Sequence, residues 1–166
     1  SKYLQTSNAN LFLSTDEKAW LAEHGTIRVG YQDNYLAFCA TDPETGELTG
    51  AMKDYLEAAT ACLENAQLQF EAIAYPTAAA ALDAVKRGEI DCMFPANLTN
   101  YDGEVQGFFM TAPVMSTDMS AVIREADQKT FAKQDHITVA VNVGNTNYDV
   151  FLLDHFPDWR SIYFTD

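Results

Sequence analysis

The residues of this chain best suited to chemistry are polar and aromatic, and they sit in three short loops. Asp33, Asn34 and Tyr35 form the first, Asn97 and Thr99 the second, Asn145 and Thr146 the third. Carboxylates, carboxamides, hydroxyls and rings hold a small molecule by hydrogen bonds and stacking; by themselves they break no bonds. Catalysis needs a nucleophile beside a base, or paired carboxylates in a pocket. His24, His136 and His155 fall at helix ends or in a charged connector, none beside a plausible Ser or Cys partner. No catalytic residue is therefore expected. Each polar residue also has a simpler role. Asn97 and Thr99 can equally stabilise a turn, and Asn145 with Thr146 reads most simply as a helix N-cap. Of the aromatic residues in the first loop, Tyr35 is the expected ligand platform and Phe38 a core residue.

The elements that must position these loops begin with Ile27 to Phe38. Ile27 and Val29 point one way and Arg28 the other, as in a strand. Gly30 is expected to let the backbone leave the sheet, and the polar loop follows. In an open α/β sheet, the loop at the carboxyl end of a strand is where ligands bind.

Composition bounds the partners. The 166 residues carry 24 acidic and 10 basic side chains, a net charge of −14, and 48% are apolar. That is an ordinary globular composition with no clustered Lys and Arg, which argues against nucleic acid. No apolar run approaches the roughly 20 residues that span a bilayer. Residues 1 to 8 show no hydrophobic leader, but a secreted domain without its leader reads the same way. Cys39, Cys62 and Cys92 form no metal-ligand spacing, so neither a metal nor another cofactor is expected. Cys62 falls at helical spacing with Leu56, Ala59 and Leu63 and reads as a buried small hydrophobe. Cys39 and Cys92 lie near strand ends and could meet; three free thiols is the simpler expectation.

In chain order, Ser14 or Thr15 caps a helix over 14–24 that Gly25 stops, with Trp20 and Leu21 expected to pin it to the body. Residues 42 to 47 are a surface turn. The apolar stripe of Met52, Tyr55, Leu56, Ala59, Cys62 and Leu63 predicts a helix over 51–65. Strand 68–75, helix 78–86 after Pro76-Thr77, and strand 90–94 follow. Then come a polar loop over 95–103 and a strand over 119–124. A charged connector over 125–136 leads to strand 137–141, helix 148–155 and strand 161–164. Alternating strands and helices call for mostly parallel sheets faced by helices. Asp54 and Asp91 read as structural.

Taken in order, these motifs resemble the extracytoplasmic solute-binding proteins of the type 2 periplasmic class, family 3. The strand Ile27-Arg28-Val29-Gly30 leads to a loop bearing Tyr35 and Phe38, and Gly50 with Asp54 opens the next helix. Gly88-Glu89-Ile90-Asp91, Leu98-Thr99 and Pro113 follow. Gly144-Asn145-Thr146 stands where such proteins often carry Gly-Thr-Thr at a helix start. The resemblance rests on the ordered set, since no single motif is specific.

It implies a two-lobed α/β fold of the type 2 periplasmic-binding-protein kind; some relatives of that fold are dehydratases, but the residues here give no catalytic set and no enzyme is expected. Residues 1–25 would be a leading arm and helix, 26–124 lobe 1, 125–136 a connector, and 137–166 the start of a second lobe that is truncated here. The segment Leu13 to Leu21 resembles the helix that precedes such domains in membrane-anchored histidine kinases or diguanylate cyclases. That implies ligand sensing outside the membrane, tethered through an anchor, with the output domain in the same polypeptide. The alternative is a substrate-binding protein of an ABC transporter. Two departures bear on the ligand. No Arg follows the Thr-bearing loop, so the usual carboxylate clamp is missing, and Ala37 replaces the usual Pro. The remaining Asn, Thr and Tyr suit a neutral polar solute, or a cationic one held by Asp33 and the rings.

Overall fold

The structure is a computed structural model that describes residues 12–116, 120–142 and 147–164. Its first sheet is built on β1 (Ile27–Gln32), with β4 (Phe70–Tyr75) on one side and β5 (Cys92–Met93) on the other, all parallel. Ile27 pairs with Phe70 and Gln32 with Tyr75. A central strand must carry side chains that tolerate burial, and here Val29 and Tyr31 are 1% and 2% exposed. They form the core with Cys39 and with Met52 of helix α2 (Ala51–Cys62).

Gly30 does not release the chain from the sheet: β1 runs on through it to Gln32. A Cβ at this position would overlap Ile90 Cδ1 and press on the Tyr75 ring. The missing side chain serves close packing, a use of glycine that a turn-based reading overlooks. Helix α3 (Ala78–Lys86) contacts β1, β4 and β5. Its Ala81 and Ala84 are fully buried, since small residues allow the helix a close approach. Thr77 caps α3, its hydroxyl accepting from Ala80 N at 3.1 Å.

The predicted surface turn joins β2 (Ala40–Thr41) and β3 (Leu48–Thr49) in a small antiparallel hairpin. Asp42 Oδ1 accepts from Glu44 N and Thr45 N, and Gly46 takes φ 73°. Helix α1 (Thr15–His24) starts with a full capping box between Ser14 and Glu17, and Gly25 ends it. Trp20 does not pin it to the body. That ring is half exposed and lies on His24, with centroids 4.3 Å apart. No residue of α1 is buried. Cys62 is likewise exposed: it is the last residue of α2, where the helix ends. Cys39, Cys62 and Cys92 are all free thiols.

The described residues up to Ala96 form one compact unit and those from Asn97 a second, whereas the charge pattern places the connector at 125–136. In the second unit, α4 (Asn100–Gln106) occupies what reads in sequence as loop. A short 3-10 turn (Glu125–Asp127) and α5 (Gln128–Phe131) lie within the charged connector. Strands β6 (Thr138–Asn142) and β7 (Arg160–Phe164) pair in parallel around α6 (Asn147–His155). Val141 and Leu152 are buried there, and Trp159 stacks on Phe156 at 4.4 Å. The strand expected over 119–124 is not formed at Ser120 to Arg124, and Met119 lies outside the described residues. Val122 is 98% exposed, and among the described residues no strand pairs with this segment.

Candidate functional site

The chain leaves β1 at Gln32 and turns back within a few residues. Asp33 N donates to Tyr75 O at 2.8 Å, extending the β1–β4 ladder by one step. Asp33 Oδ1 then accepts from Asn34 N at 2.9 Å and from Thr41 N at 2.7 Å, so one carboxylate oxygen closes both ends of the loop. Asn34 takes φ 57°, a left-handed geometry that Asn tolerates better than most residues. Tyr35 O accepts from Phe38 N and Cys39 N, which folds the tip sharply. Cys39 Sγ donates to Gln32 O at 3.1 Å, and Tyr31 Oη lies 2.8 Å from Thr41 Oγ1. Burial pushes the Cys39 thiol up to about 12, and the Asp33 charge adds to the effect.

This wiring fixes an aromatic surface. The Tyr35 and Phe38 rings meet at 5.0 Å, tilted by 35°, and both pack against the Val29–Tyr31 core. Tyr55 of α2 stacks on Phe94, just beyond β5, at 4.7 Å. The aromatic groups thus gather at the carboxyl ends of β1 and β5, where ligands bind in open α/β sheets. The Tyr55–Phe94 pair was not legible as a pair; both residues read as apolar positions of separate elements.

The start of α2 is tied to the same loop. Ala51 N donates to Ala37 O at 3.2 Å and Met52 N to Phe38 O at 2.9 Å. Two amides that would otherwise attract an anion at a helix N-terminus are thereby used internally. Asp33 Oδ2 accepts no hydrogen bond among the described residues, so the carboxylate retains capacity for a donor. The arginines of this unit are engaged elsewhere, Arg28 with Asp91 and Arg87 with Glu89.

Asp33, Asn34 and Tyr35 therefore share one preorganised loop. Asn97 and Thr99 lie exposed at the start of the second unit. Thr99 Oγ1 accepts from Asp102 N at 3.1 Å and donates to Asp102 Oδ2 at 2.6 Å, capping α4. The Thr99-x-x-Asp102 spacing was the readable signal for that helix start. Asn145 and Thr146 lie outside the described residues. Asp91 is structural, as its position predicts: its carboxylate takes Arg28 N at 2.7 Å and the Arg28 guanidinium at 3.0 Å. These bonds hold it well below the usual carboxylate range. Asp54 is exposed in the first turn of α2. A shallow groove of about 270 Å³ lies apart from the loop, between α2 and β4, and is lined by Leu48, Lys53, Leu56, Glu57, Thr60, Phe70 and Ala72. Among the described residues no group of metal ligands occurs, and no helix is long and apolar enough to cross a membrane.

The fold is that of the type 2 periplasmic binding proteins. The VFT2 domain of Bordetella pertussis BvgS superposes with a TM-score of 0.64 at 18% identity, over 94% of this chain and 64% of that one. An ancestral amino acid-binding protein, described as a precursor of cyclohexadienyl dehydratase, gives 0.61 at 19% identity, over 88% and 64%. A cysteine-binding protein of Campylobacter jejuni gives 0.52 at 16%, over 89% and 58%. The chain thus spans somewhat under two thirds of the length of these structures. No protein-family model matches the chain, and no curated protein matches it.

Proposed function

We propose that this chain is part of an extracytoplasmic solute-binding module of a membrane-anchored bacterial signalling protein, a histidine kinase or diguanylate cyclase. In this reading it takes a small polar solute, neutral or cationic, and closure on that solute signals to an output domain in the same polypeptide. One observation carries the binding role: the loop 33–41 is cinched by Asp33, Tyr31 and Cys39 so that Tyr35 is presented at the carboxyl edge of the sheet. Its sole charged side chain is the carboxylate of Asp33. Asn97 and Thr99, with Asn145 and Thr146, would supply further hydrogen bonds. The likeness to a BvgS periplasmic domain and the capped helix α1 favour sensing. The likeness to a cysteine-binding protein supports the transport alternative. Catalysis is not part of the proposal.

The test is calorimetry on the full-length protein or its whole extracytoplasmic part, with lysine, glutamine and glutamate as probes. Lysine or glutamine should bind more tightly than glutamate, and Tyr35→Ala should weaken binding at least tenfold, the loss of one aromatic contact. Tighter binding of glutamate, or an unchanged affinity in Tyr35→Ala, overturns the assignment. An open reading frame that continues into a kinase or cyclase domain supports sensing; one that encodes a free lipoprotein beside a permease supports transport.

A further inference from the structure

Strand β4 is an outer strand of the first sheet: it bonds to β1 on one side and, among the described residues, to no strand on the other. The ladder decides which of its backbone groups are left over. Ile27 N donates to Gln69 O and Asp33 N to Tyr75 O. In a parallel pair bonded in this phase, Glu71, Ile73 and Tyr75 face β1, and Phe70, Ala72 and Ala74 turn their N–H and C=O outward. Ala72 and Ala74 are exposed, and a methyl group shields a peptide edge poorly. Edges are ordinarily blunted by Lys, Pro or a bulge. Here the register runs unbroken for six residues, and the sole charged residue of the strand is Glu71.

A second feature adjoins this edge. Phe70 and Ala72 send their side chains toward α2, where with Leu48 and Leu56 they form the apolar wall of the shallow groove of about 270 Å³. The surroundings of that groove are acidic. Lys53, which lines it, pairs with Glu57 at 2.8 Å. The Glu57 hydrogen bond raises the Lys53 ammonium above its ordinary value, and Asp54 and Glu47 add to the effect, so three anions stand around one cation.

We propose that the free edge of β4 and the adjoining groove take an extended, basic peptide segment of a partner protein as an added strand, with its alternate apolar side chains in the groove. Backbone pairing to Phe70, Ala72 and Ala74 supplies affinity, and the groove selects the side chains that enter. Small-molecule sites usually enclose roughly 300–1,000 Å³; this groove is smaller and open, which suits one or two side chains. Charge sets the sign of the partner: the acidic rim and the net charge of −14 favour a cationic strand. The same charge opposes a second copy of this chain on the edge, since that copy brings its own acidic rim. The surface lies apart from the ligand loop, so the inference does not depend on the solute or on whether the chain senses or transports.

Amide exchange measured by NMR on the intact chain, with the acetylated and amidated pentapeptide Lys-Val-Lys-Val-Lys as probe, tests the proposal. At millimolar peptide the amides of Ala72 and Ala74 should exchange at least about threefold more slowly, as expected once the bound form predominates. The acidic counterpart Glu-Val-Glu-Val-Glu should leave them unchanged. Glu57→Lys, a substitution at an exposed helix position, should weaken binding of the basic peptide about 2- to 5-fold, the range of one exposed ion pair. Unchanged exchange at Ala72 and Ala74, equal binding of the acidic peptide, or an unaltered affinity in Glu57→Lys each overturns the proposal. Protection of these amides that grows with protein concentration in the absence of peptide assigns the edge to a second copy and overturns it too.

Discussion

Replacing Gly50 by alanine probes the join between the ligand loop and α2. Gly50 adopts φ 94° and ψ −173°, a region that is essentially closed to residues with a Cβ and costs about 1–3 kcal/mol when forced. The added methyl would also stand 2.6 Å from Phe38 O and 2.9 Å from Phe38 C. Those are backbone atoms, and Phe38 O is already the acceptor for Met52 N, so relief requires the loop or the helix to move. Overpacking of this kind costs typically about 1–3 kcal/mol. The total expected for Gly50→Ala is thus about 2–6 kcal/mol. Gly46 is the internal control: its φ is 73°, but a Cβ there meets nothing within 4 Å. Gly46→Ala should therefore cost only the conformational term, about 1–2 kcal/mol. In urea titrations followed by circular dichroism, with a slope of about 1–2 kcal/mol per molar, the Gly50 variant should lose at least about 0.5 M more of its midpoint than the Gly46 variant. Equal midpoints for the two variants would refute the claim that loop and helix press on each other at Gly50.

Two further outcomes follow from the titratable groups. The Asp91 carboxyl is depressed chiefly by the Arg28 guanidinium, so its contribution is fully present above the unfolded value, about 3.9, and is lost as pH falls through the lower folded value. Asp91→Asn should be destabilised relative to wild type at pH 6, and the gap should narrow steadily below pH 4; a gap that widens toward acid contradicts the pairing. The Cys39 thiol, buried and pushed up to about 12, should resist an aromatic disulfide reagent at pH 8 while exposed Cys62 reacts within minutes. Rapid modification of Cys39 in the folded chain, read by peptide mapping, would contradict the closed loop.

Much of the first unit was legible because its boundaries are written in local chemistry. Ser14 with Glu17 marks α1, Thr77 marks α3, and the Asp-Pro-Glu-Thr-Gly turn marks the hairpin. What escaped the sequence depends on neighbours far along the chain. Gly30 reads as a point where the strand gives way, but Ile90 and Tyr75 make it a packing site. Trp20 reads as an anchor, but its partner is a histidine on its own helix. Within the candidate site, the residue types at 33–35 were visible. The carbonyls of Ala37 and Phe38 that receive α2 were not, because backbone acceptors are common to every residue. The helix after Thr99 was missed although the cap and its acidic partner are three residues apart, because the surrounding Asn, Tyr and Gly speak for loop.

The parallel register of β1 also governs how the first unit comes into being. Ile27 N donates to Gln69 O and Ile27 pairs with Phe70, while Val29 pairs with Cys92 on its other side. A ribosome adding about 5–20 residues per second delivers the first of these partners seconds after β1 has emerged, and the second later still. Throughout that interval Val29 and Tyr31 have only the hairpin and α2 to shelter them, since Met52 and Cys39 are the core neighbours made first. The nascent chain is accordingly at its most adhesive after the synthesis of β1 and before that of α2, stays partly so until β4 is made, and a holding chaperone that favours short apolar strands would find its site at Ile27 to Tyr31.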